Sequence, residues 1–214
     1  MDHDTPLLKR AYNLGLKAVP NFTALTIEQI AYYEQHLGKI PDALLRGFTG
    51  PDLTLLTTLD ITVPANYRHV TQLATFKRGH KKNCYSYSHA ITDANFAKAT
   101  TVLTPGRKFK VKIWKQMVGG MTTSIERLAF LKSQKAVFTG AQGASLVFAQ
   151  KRHALPKGYW YVSFDEKDAL FEYEEGYHGV PSVYAGSHGD FHFDLGPFEC
   201  DWRDAHCLLC FCEE

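Results

Sequence analysis

Immediately after Pro105-Gly106, Phe109, Val111 and Ile113 alternate with Lys108, Lys110 and Lys112. Successive side chains of an extended chain point to opposite faces, so a period of two buries this apolar set only as a strand. A helix would scatter the same three side chains around its circumference. The chain must therefore build a sheet with an apolar face and a basic face at this point. With 214 residues, 45% hydrophobic and 13% aromatic, it can supply one substantial core but falls short of two comfortable domains.

The other elements follow from capping and periodicity. Thr26 and Gln29 have capping-box spacing, Leu25 and Ile30 can form a hydrophobic staple, and Ile27, Ile30, Tyr33 and Leu37 make one stripe. These predict a helix over 26–37, ended by Pro41, with a short helix over 42–46. Residues 83–88 read as a strand. Thr92 or Asp93 then caps a helix with Ala94, Phe96 and Ala97 inward. Thr123-x-x-Glu126 opens a further helix by the same capping logic, with Ile125, Leu128 and Ala129 inward. Gly140-Ala141-Gln142-Gly143 reads as a turn, and strand-like runs follow over 145–149, 159–164 and 169–173. Helices early and strands late predict an α+β fold, with N-terminal helices before a mixed, mostly antiparallel β-core. The expected organisation is one domain over 1–214: a helical lead-in to about 50, a core over about 60–185, and a Cys/His-containing extension over 186–214.

Net charge is +2, but it is strongly segregated. Residues 1–75 sum to −1, residues 76–160 to +14 and residues 161–214 to −11. This pattern points to an anionic ligand for the middle segment, or to neutralisation between the two blocks across the fold. No stretch has the roughly 20 apolar residues of a membrane span, and Met1-Asp2-His3-Asp4 lacks a signal-peptide layout. Five cysteines, four of them after residue 199, form no disulfide ladder. A cytoplasmic protein, of the maker or of an invaded host, is the expectation, without a membrane partner.

Several motifs fail. No Gly-Lys-Ser/Thr follows the Gly140–Gly143 stretch, His69-Val70-Thr71 has no second His-x-Ser/Thr, and there is no Gly-x-Ser-x-Gly elbow. Cys200, His206, Cys207 and Cys210 lie close together, and Cys207-x-x-Cys210 has the spacing of a zinc clamp. That makes a zinc-stabilised binding module one expectation; the other is a reduced tail whose Leu208, Leu209 and Phe211 simply pack. Asp190, His192 and Asp194 would share one strand face, able to line a metal or polar ligand or simply to face water.

Tyr85-Ser86-Tyr87-Ser88 precedes Ala94-Asn95-Phe96-Ala97. Tyr67-Arg68 and Leu45-Arg46-Gly47 lie upstream of it, and Glu166-x-Asp168 and Glu172-x-Glu174 downstream. In this order of Arg, Ser-x-Ser and acidic pair, over about residues 25–183, the chain resembles mono-ADP-ribosyltransferases of the toxin-like R-S-E class, which includes small phage-encoded enzymes. Tyr32-Tyr33 and Ile40-Pro-Asp-Ala-Leu-Leu-Arg46 match the family's early helical part. One alignment makes Tyr67-Arg68 the Tyr-Arg-Gly strand, with His69 where Gly is usual; the other takes Leu45-Arg46-Gly47. Glu166-Lys167-Asp168 has the usual place before an apolar strand but puts Asp at the catalytic position, whereas Glu172-Tyr173-Glu174 keeps both glutamates but follows the apolar run.

The resemblance implies an ADP-ribosyltransferase-like core that consumes NAD and modifies a macromolecular acceptor, protein or nucleic acid. Glu174 or Asp168 would stabilise the oxocarbenium-like ribose, and Glu172 or Glu166 would orient the nucleophile. Ser86 would hold the carboxylate and Ser88 would support the strand. Arg68 or Arg46 would grip the diphosphate, and Tyr85 or Tyr87 would stack on nicotinamide. Lys77, Arg78, Lys81 and Lys82 would add to the attracting field. A second expectation rests on the basic segment with its interleaved aromatics: a nucleic-acid-binding or host-inhibitory protein without catalysis.

Overall fold

The computed structural model describes residues 53–116 and 121–214. The predicted helices over 26–37 and 42–46, together with Arg46, lie outside the described residues. Within Pro51–Glu214, which form one unit, the α+β expectation holds in general terms: three helices accompany an eight-stranded, mostly antiparallel sheet. The strands are β1 (Leu53–Thr62), β2 (Cys84–Tyr87), β3 (Lys108–Gln116), β4 (Trp160–Val162), β5 (Phe171–Glu174), β6 (Tyr177–Ala185), β7 (Phe191–Pro197) and β8 (His206–Glu213). The helices are α1 (Gln72–Gly79), α2 (Ser124–Ser133) and α3 (Gly140–Lys151). They are interspersed with the strands and not confined to the front of this unit.

The strand order is β1-β3-β8-β4-β6-β7-β2, with β5 also paired to β6. Only β2 with β7 and β4 with β8 run parallel. Residues 186–214, expected as an extension, instead supply β7 and β8, and β8 lies between β3 and β4. Its Cys207, Leu209 and Phe211 join one buried cluster, while Leu208 and Cys210 join another. An apolar strand flanked on both edges and covered on both faces belongs at the centre of a sheet.

Each face has its own cover. Phe109, Val111 and Ile113 of β3 pack with Leu73 and Phe76 of α1 and with Ala144, Val147 and Phe148 of α3. On the other face, Leu128 and Leu131 of α2 pack with Val162, Val180, Leu208 and Cys210. The capping box predicted for α2 forms: Glu126 N donates to Thr123 Oγ1 at 3.2 Å and Thr123 N donates to Glu126 Oε2 at 2.8 Å. The alternation in β3 also holds, with Lys108 and Lys110 exposed opposite its buried apolar set.

Two local expectations are corrected. Residues 140–149 belong to α3, not to a turn followed by a strand. Gly140 through Phe148 are all buried, so the helix shows no wet stripe from which a period could be read. Gly143 permits the close approach: a Cβ there would collide with the Thr139 side chain and come within 2.9 Å of Phe211 Cζ on β8. Residues 93–98 form turns, not a helix. Asp93 caps a different element, accepting from Leu73 N at 2.9 Å and Ala74 N at 3.0 Å in the first turn of α1.

Candidate functional site

Register decides which predicted residues can meet. Ser86 on β2 pairs with His192 on β7, which pairs with Tyr184 on β6, which pairs with Trp160 on β4. Glu172 on β5 pairs with His178, six residues along β6 from Tyr184. At about 3.3 Å per residue that is roughly 20 Å along the strand, with further strand spacings across the sheet. Glu174 sits beside it, exposed, and Glu172 Oε1 accepts from Gly176 N at 2.8 Å in the β5–β6 turn. Glu166 precedes a single 3-10 turn, Lys167–Ala169, that contains Asp168, and Glu166 pairs with Lys132 of α2 at 3.3 Å. The sheet therefore does not bring Glu172 and Glu174 to Ser86, and Glu166 is engaged with α2 instead.

Arg68 is exposed, in extended backbone just before a 3-10 turn over His69–Thr71, and not in the strand the alignment implies. His69, in the Gly position of that alignment, is buried instead, and its Nδ1 accepts from Leu103 N at 3.1 Å. Ser88 N donates to Phe193 O at 2.8 Å, and Ser88 Oγ accepts from Ala90 N at 3.3 Å, so Ser88 ends β2 as a turn residue. Tyr87 is turned into the core, with Lys77 Nζ 4.6 Å from its ring centroid. Tyr85 is 76% exposed and lies against His192, centroids 4.8 Å apart. Tyr85, His192, Tyr184 and Trp160 thus make a half-exposed aromatic row across four strands.

The expected zinc clamp does not close. Cys207 and Cys210 are three residues apart on one strand and so face opposite sides of the sheet, each buried among apolar neighbours. Burial pushes the Cys207 thiol up to about 11 and the Cys210 thiol up to about 12, away from the thiolate a metal requires. Cys200 is exposed outside β8, and among the described residues no group of three or more His, Cys, Asp or Glu is placed to hold a metal ion. Asp190, His192 and Asp194 do share the wet side of β7, between the buried Phe191 and Phe193.

Charge pairing divides the basic block in two. Arg107 pairs with Glu213, Lys110 with Glu214 at 3.2 Å and Lys132 with Glu166 at 3.3 Å, so part of the +14 segment is neutralised by the acidic C-terminal segment. A second group is not. Lys77, Arg78, Lys81 and Lys82 stand exposed at the C-terminal end of α1, and none forms an ion pair among the described residues. Lys151 and Arg152 end α3, and Arg152 Nη1 donates to His80 Nδ1 at 3.4 Å, joining the two helix ends. Because Arg only donates, the proton of neutral His80 sits on Nε2. Burial, and then the Arg152 charge, hold His80 below the ordinary histidine range.

Between α1 and α3 lies a cavity of about 330 Å³. Arg68, Asn66, Thr75, Gln72, Gln150 and His80 give it polar groups, Phe76, Leu146 and Ala149 give it apolar wall, and no carboxylate among the described residues lines it. Among the described residues expected at the site, Arg68 alone reaches this cavity. His80, Arg152, Gln72 and Gln150 carried no signal in the sequence, since nothing local to 80 or 152 says that two helix ends meet.

Comparisons with protein-family models, curated proteins and solved structures give no match. No described helix is long and apolar enough to cross a membrane.

Proposed function

We propose that this protein binds nucleic acid through the basic corner where α1 and α3 end. The observation carrying this reading is the clustering of unpaired cations: Arg107, Lys110 and Lys132 meet carboxylates, whereas Lys77, Arg78, Lys81, Lys82, Lys151 and Arg152 collect at one corner and form no ion pair among the described residues. Such a cluster retains its counterions until a polyanion displaces them, and that release drives phosphate-backbone binding. Tyr85 is exposed on β2, the next strand after this corner, and offers a ring for base stacking.

An NAD-consuming transferase would need an Arg, Ser86 and a carboxylate around one ligand. The strand register sets neither Glu172 nor Glu174 beside Ser86, and Asp190 and Asp194, which flank its partner His192, belong to neither predicted acidic pair, so the geometry favours the binding reading. The test is fluorescence anisotropy with a labelled single-stranded oligonucleotide and its duplex. The double variant Lys81→Glu/Lys82→Glu should weaken binding at least about tenfold while remaining folded, because both side chains are exposed. Equal affinity in that variant would remove the corner from the account. Nicotinamide release from NAD, lost on Ser86→Ala, would return the transferase to first place.

A further inference from the structure

We infer that the cavity between α1 and α3 seats a single unstacked nucleobase, with the attached phosphate held by Arg68. The idea extends the nucleic-acid reading of the adjacent corner but rests on different residues. A volume of about 330 Å³ lies at the small end of ligand sites and suits one nucleotide. Phe76 is buried among Phe148, Phe191 and Phe193, and it backs the half-buried His80 ring, 4.7 Å away and tilted by 40°, which is the ring available for stacking beside Ala149. The groups that can read a base edge are amides. Gln72 Nε2 donates to Ser145 Oγ at 2.9 Å and Gln150 Nε2 donates to Thr62 O at 2.9 Å, fixing both side chains and leaving their oxygens as acceptors. Asn66 has no side-chain hydrogen bond among the described residues and can both donate and accept. Amide side chains suit base edges because they pair donor and acceptor in one plane.

The electrostatics select an anion. Arg68 is exposed at the cavity, and Arg152 Nε is buried beside His80 without a partner among the described residues. A neutral apolar ligand would leave the amides and the guanidinium unpaired, at a cost of about 1–3 kcal/mol for each desolvated group. A nucleotide uses the ring surface, the amides and the cation together.

The experiment titrates the full chain with each of the four ribonucleoside 5′-monophosphates and with ribose 5-phosphate, followed by calorimetry. At least one nucleotide should bind with a Kd below about 1 mM and at least about tenfold more tightly than ribose 5-phosphate. Arg68→Gln should weaken it at least about fivefold. Ala149→Phe, which fills the cavity, should abolish it; if that variant fails to fold, Asn66→Ala carries the same test with an expected loss of at least about fivefold. Failure of all four nucleotides to bind, ribose 5-phosphate binding as tightly, or Arg68→Gln or the base-side variant leaving affinity unchanged would each overturn the assignment. Mononucleotide binding that survives Lys81→Glu/Lys82→Glu supports the cavity even if oligonucleotide binding fails, so the two readings fall separately.

Discussion

Arg127 is the largest fully buried side chain described, and its guanidinium bonds only to uncharged oxygens. It donates to Thr122 Oγ1 at 2.9 Å, His206 O at 3.0 Å and Gln116 Oε1 at 3.4 Å, and lies 5.5 Å from the Trp202 ring centroid. Burial pushes its pKa down to about 9. One side chain thus ties the end of β3 to the start of β8. Arg127→Met should lower the unfolding free energy by about 3 kcal/mol, measured by urea denaturation, because several buried acceptors lose their donor. Lys in its place should not restore stability, because it lacks the planar fork. Histidines set the response to acid. Burial holds His69, His80 and His206 below the ordinary histidine range, with Arg152 and Arg127 adding to the effect at His80 and His206. The unfolded chain takes up these protons near pH 6.5 and the folded chain does not, so stability is full above that pH and falls below it. Asp165, raised by burial, works in the opposite sense, since the folded state protonates first. The urea midpoint should therefore drop between about pH 7.5 and about pH 5.5, and less steeply in His69→Gln.

At the scale of elements, the sequence was legible where a face met water. The period of two in β3 and β7 and the capping box of α2 all survive, because each records a local boundary between core and solvent. Helix α3 was not legible: it is covered on all sides from Gly140 to Phe148, and an evenly apolar run has no period. Helix α1 went unread for another reason. Its cap comes from Asp93, about twenty residues downstream, so no start signal stands before it. Asp93→Ala should cost about 1–2 kcal/mol and speed amide exchange at Leu73 and Ala74. Asp93→Asn, which keeps an acceptor, should retain part of both. Little change at those amides in Asp93→Ala would show that α1 does not depend on this cap.

Over the whole molecule, the segregated charge proved to be two arrangements superimposed. Arg107, Lys110 and Lys132 answer the acidic block through Glu213, Glu214 and Glu166. The ends of α1 and α3 keep their cations. Sequence order showed the excess but not the division, because pairing depends on β8 inserting beside β3 and on His80 meeting Arg152. Glu172, Glu174 and Ser86 were readable as residue types, yet their separation follows from β2 lying at the sheet edge and β5 pairing with β6. If the unpaired corner binds phosphate, oligonucleotide affinity must depend on salt. For a single strand, log K should fall linearly with log salt at about −0.7 per phosphate contact, and Lys81→Glu/Lys82→Glu should flatten the slope by at least one contact's worth. A salt-independent affinity, or an identical slope in the variant, would contradict the account.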